Sequence, residues 1–168
     1  MGFGNRTAGE TVSVSSLLAI YLQDHHAAAM AGARLAGRAA SKIADGKTEL
    51  ATIAAEIEED LHSLERVMEQ LGVGRQRVKD GTAVVGERIA RLKPNGRLSG
   101  RSPLSDLLEL ETLVVGITGK EALWRSLQSV PAVPTDEVER LIGRAVDQRR
   151  RVEALRMRAA TRCLSESP

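Results

Sequence analysis

The apolar positions of this chain recur three and four residues apart, the period of a buried helix face. The cleanest run is Leu50, Ile53, Ile57, Leu61, Leu64, Met68 and Leu71. It predicts a helix over about 48–71, ended by Gly72 where a left-handed residue suits a C-terminus. Upstream, Leu18, Leu22, His25, Ala29, Gly32 and Ala36 give the same spacing. They predict a helix from a Ser15 or Ser16 cap to about Ala44, closed by the Asp45-Gly46-Lys47 turn. His26 falls off that seam and is expected at the surface.

Val78, Thr82, Val85 and Ile89 predict a shorter helix over about 75–92, stopped by Lys93-Pro94-Asn95-Gly96. Ser102 and Pro103 open the next helix, to about Val130. Pro131 to Pro134 break the chain. Thr135 then caps a last helix to about Leu164, with Asp136 and Glu137 at its positive end. No alternating strand pattern competes. Short links at 45–47 and 131–134 imply two antiparallel hairpins, so the fold class is an all-α antiparallel four-helix bundle with an extra shorter helix in the crossover. Residues 1–13 are expected to be mobile, and 14–164 to form one domain.

Composition narrows the function. Aromatic residues make up 2% of the 168, so aliphatic side chains must build the core. The lone Cys163 excludes an internal disulfide and fits a cytoplasmic location. No apolar run reaches the length of a membrane span, so no membrane partner is expected. The net charge is +2. Arg149, Arg150, Arg151, Arg156, Arg158 and Arg162 make the last helix basic, but base-stacking aromatics are missing. That face reads as solvated or subunit-facing, with nucleic-acid binding as an alternative.

A four-helix bundle invites comparison with the carboxylate di-metal centre, which needs a Glu on each of two helices and Glu-x-x-His on each of the other two. Glu59 and His62 supply one such pair, with Glu109 or Glu111 and Asp24 as further acids, but the last helix has no His. At ~1.5 Å per residue, Asp24 and His25 fall roughly 30 Å from the first hairpin, away from Glu59 and His62. A metal-free core is therefore expected, and an iron or manganese site built on Glu59, His62 and Glu111 is the alternative. The same arithmetic puts Asp24 and His25 level with Lys120, Trp124, Glu65 and Arg144, and Glu111 level with Glu56 and Glu153. Two polar layers, one near each end, are expected. The candidate binding residues are Asp24, His25, Glu111, Lys120 and Trp124, as structural ion pairs or the lining of a small-ligand pocket. Gly116 and Gly119 are expected to admit a neighbouring helix closely.

The segments Tyr21-Leu22-x-Asp24-His25, Glu56 to Asp60, Asn95 to Arg97, Ser102 to Leu104, Leu108 to Glu111, and Gly119-Lys120 with Ala122 to Trp124 resemble a group of bacterial ferritin-like helical-bundle proteins without an established activity. The resemblance implies ferritin-like topology and marks Asp24, His25, Glu111, Lys120 and Trp124. It carries no substrate. The expected role is binding or structural instead of catalytic, in a homodimer joined through a helix face.

Overall fold

The structure, a computed structural model, describes residues 15–74 and 102–165. Among them are four helices and no strand: α1 (Ser16–Lys42), α2 (Lys47–Gln70), α3 (Pro103–Leu127) and α4 (Thr135–Leu164). The N-terminal segment, the helix expected at 75–92 and the Lys93–Gly96 turn lie outside the described residues.

Local chemistry sets the helix ends. The Ser15 side chain accepts a hydrogen bond from the Leu18 N–H at 3.2 Å, satisfying one of the free donors of the first turn of α1. α1 stops at Lys42, and Asp45 and Gly46 reverse the chain. Gly46 has φ +70°, and a Cβ there would lie 2.2 Å from Leu155 Cδ2 on α4. The turn thus needs glycine for its backbone and for its close passage over α4.

At the end of α2, the Gly72 N–H bonds the Glu69 carbonyl at 3.0 Å and the Val73 N–H bonds the Met68 carbonyl at 2.8 Å. With Gly72 at φ +67°, this is a Schellman cap, completed by burial of Val73 and Met68. α3 ends three residues short of the expected Val130, in a tighter turn of i→i+3 bonds. α4 has the expected bounds, but Pro134 takes the cap position and Thr135 is its first helical residue.

Two apolar clusters fill the interior, each drawing on all four helices. One joins Ala36, Ala39 and Ile43 to Leu50, Ile53, Ile57, Leu110, Ile117, Val152 and Leu155. The other joins Leu22 to Leu64, Met68, Leu123, Trp124, Leu127, Val138 and Leu141. The α2 seam is buried as expected except at Leu61, which is half-exposed while its neighbour Asp60 is 2% exposed. On α1 the interior position is His26, 4% exposed, and His25 is only half-buried. The steps 22–25–29 and 22–26–29 suit a helix seam equally, so spacing did not separate the two. Glu65 on α2 decides it by bonding His26 Nε2 at 3.1 Å.

α1 lies against α2 and α3, and α3 against α4. α2 and α4 approach each other less closely than these pairs do, and long side chains span the distance between them. A Cβ built on Gly32, Gly116 or Gly119 would meet nothing within 4 Å. The expected close helix approach at Gly116 and Gly119 is therefore not made within the described residues; these glycines border open space.

Candidate functional site: a buried ion layer

Asp60 is the most informative side chain of the interior. It sits on α2 between Ile57 of one cluster and Leu64 of the other. A carboxylate this deep needs cations or several donors. Lys120 on α3 supplies an ammonium to Oδ2, and Arg144 on α4 supplies a guanidinium to Oδ1. Gln148, fully buried one turn beyond Arg144, donates its Nε2–H to Oδ2 at 3.2 Å and accepts from Lys120 through Oε1. Arg144 also reaches the exposed Glu59 at 2.7 Å. Side chains of three helices thus converge in one layer.

Burial pulls the Lys120 ammonium below the usual lysine value, and the Asp60 carboxylate opposes that shift. The group is held by two oxygens, one anionic and one amide. The arrangement is a neutralised layer in which Lys120 and Gln148 bridge α3, α2 and α4 by hydrogen bonds to Asp60 Oδ2, while Oδ1 meets Arg144 as an ion pair.

The candidates read from the sequence separate. Lys120 is in the layer, but its partners are Asp60 and Gln148, not Asp24. Asp24 is exposed. His25 packs edge-on against Tyr21, with ring centroids 4.5 Å apart, and burial lowers its pKa against the pull of Asp24. The Tyr21 hydroxyl in turn donates to Ser126 on α3 at 3.1 Å. Trp124 is 1% exposed, one turn along α3 from Lys120, and its indole N–H has no acceptor among the described residues. Glu111 pairs with Arg156 at 3.5 Å, and Arg156 also holds Glu153. The expected Glu111–Glu153 grouping therefore forms at the rim, while Glu56 joins Arg151 instead. Glu59 and His62 are exposed. No group of three or more His, Cys, Asp or Glu among the described residues could hold a metal ion.

Asp60, Gln148 and His26 were missed as site residues. A usable signal lies on α4. Glu137, Arg144, Arg151 and Arg158 recur every seven residues, the spacing of charged positions flanking a helix seam. They meet Arg66, Glu59 with Asp60, Glu56 and Asp45 in turn. Each step forward on α4 is a step back toward the start of α2. The basic face of α4 is thereby occupied internally: Arg149 pairs with Glu121, Arg150 with Asp147, and Arg162 with Asp45.

These pairs predict an acid response. Hydrogen bonds from Arg162, Arg125, Arg150 and Arg156 hold the carboxyls of Asp45, Glu121, Asp147 and Glu153 respectively below their ordinary values of 3.8 for Asp and 4.5 for Glu. A depressed folded-state pKa means that the unfolded chain takes up protons first as pH falls. The contribution is complete above the ordinary values and is lost on going down through the folded ones. The melting temperature is expected to decline slightly as pH falls through about 6.5, where burial of His25 disfavours its protonated form, and to fall further below about 4.5 as the paired carboxyls protonate. Salt at ~1 M should shrink that fall by screening the pairs. Melts followed by circular dichroism at both salt levels check this; a flat profile to pH 3 would contradict it.

Comparison with family models, with curated proteins and with solved structures found no match for this chain.

Proposed function

We propose that the chain is an antiparallel, ferritin-like four-helix bundle that serves as a binding or structural protein, has no resident metal and no reaction of its own, and works as a cytoplasmic homodimer. The antiparallel reading is supported by the partners that step backwards along α2 as α4 advances, and by the short links at 43–46 and 128–134. The lone Cys163, which is free, fits a reducing compartment, and no described helix is long and apolar enough to cross a membrane.

One observation carries the metal-free reading. The interior height at which such bundles gather carboxylate and imidazole ligands holds Asp60 already compensated by Lys120 and Arg144. A divalent ion there would meet two cations and one carboxylate. The alternative ligands Glu59 and His62 are exposed, and Glu111 is engaged by Arg156 at the rim. The described residues do not fit a di-metal centre. Nucleic-acid binding through α4 would have to displace the acids that hold Arg149, Arg150 and Arg151.

Elemental analysis of the purified protein, before and after incubation with ferrous or manganous salt, tests the reading. The expected content is far below one ion per chain. About two equivalents of iron or manganese, the content of a di-metal centre, would overturn it.

A further inference from the structure

The side of α1 that faces away from Leu22, His26 and Ala36 carries a second helix-seam period. Leu17, Ile20, Asp24, Ala27, Ala31 and Arg34 follow at alternating steps of three and four, the spacing by which one helix lies along another. Leu17 is 77% and Ile20 55% exposed, an unusual cost for two large aliphatic side chains one turn apart. Asp24 and Arg34 are also exposed, and neither forms an ion pair among the described residues. Most arginines of α4, by contrast, are ion-paired.

The order of these residues is self-complementary. A two-fold axis midway between Ala27 and Ala31 would lay α1 antiparallel on a second α1. Ala27 then faces the partner's Ala31, and the two small side chains permit a close crossing. Asp24 faces the partner's Arg34, so the two-fold makes that ion pair twice. Ile20 faces the partner's Arg38, whose guanidinium is held by Glu109 of its own chain at 3.4 Å and whose aliphatic stem can cover the isoleucine. Reciprocal contact of this kind is what an isologous dimer requires.

We propose that a second copy of this chain docks on the outer face of α1, antiparallel α1 to α1, with reciprocal Asp24–Arg34 pairs flanking the Ala27–Ala31 crossing. This rests on the dimer reading above and gives that dimer its surface.

Sedimentation equilibrium on the full chain and two charge reversals tests it. The wild type should sediment at twice the 18.1 kDa chain mass. Asp24→Arg and Arg34→Asp should each weaken association by ~10-fold or more, because each replaces two attractive contacts by two repulsive ones. Both positions are exposed, so helical content and melting temperature should hold. Ala31→Glu is an independent break on the same face. Mixing Asp24→Arg with Arg34→Asp chains should restore a dimer, now a heterodimer, since each cross-pair is again attractive. A wild-type monomer at all concentrations overturns both the surface and the dimer. A dimer that ignores the single reversals overturns the α1 surface and leaves the dimer standing. Failure of the mixture to pair overturns the antiparallel register.

Discussion

Replacing Asp60 by Ala is expected to destabilise the protein by ~3–5 kcal/mol, the cost of leaving one partner of a buried ion pair without its counter-charge. That is a large share of the ~5–15 kcal/mol by which domains are stable. The loss arises mainly in the folded state. Lys120, with only 13% of its side chain exposed, would keep an amide oxygen and lose its anion. Lys120→Met should cost less, because Asp60 would retain Arg144 and the Gln148 amide. The joint replacement Asp60→Leu, Lys120→Met, Gln148→Leu, Arg144→Met should return close to wild-type stability, since an apolar layer of similar volume has no desolvation penalty to offset. Urea unfolding of the four proteins by circular dichroism gives the order. A loss below about 1 kcal/mol for Asp60→Ala would show that the layer is wetter than its burial implies.

The layer also explains why the two apolar clusters meet in one register. An apolar seam alone tolerates sliding by a heptad, because Leu, Ile and Val packing is similar one repeat along. Asp60, Lys120 and Gln148 come from three helices and satisfy one another only at one offset. Displacement by a turn would strand a carboxylate in one cluster and an ammonium in another. The ion pairs between α2 and α4 act in the same direction at the surface, where each is weaker.

The helices were legible because their periods are long and their ends chemically marked. α2 was read from seven apolar positions and a glycine, and α4 from a Pro-x-x-Pro break and its first acidic turn. The interior chemistry was harder to read for two physical reasons. On α1, His25 and His26 both fit the seam, and only a side chain 39 residues away, Glu65, separates them. On α2, Asp60 beside Leu61 looks like the start of a solvated face. It turns inward because Lys120 and Arg144 arrive from helices distant in sequence. Lys120 was singled out, but depth counted along single helices paired it with Asp24. Long cationic side chains reach across a layer instead of staying level with their own backbone.

Trp124 is the second side chain whose replacement separates two effects of burial. Trp124→Ala should cost ~3–5 kcal/mol, as for any large side chain removed from a packed core. Leu22, Leu64, Met68 and Leu141 belong to the cluster that would be left with the void. Trp124→Phe keeps a ring in place and removes the indole N–H, which has no acceptor among the described residues. A buried donor left unpaired costs ~1–3 kcal/mol, so its removal offsets much of the lost contact area. The Phe variant is therefore expected to lie within ~1 kcal/mol of wild type, well above the Ala variant. Thermal and urea unfolding of the pair measure the difference. If Phe proves nearly as damaging as Ala, the void beside the smaller ring outweighs the relief of the unpaired N–H.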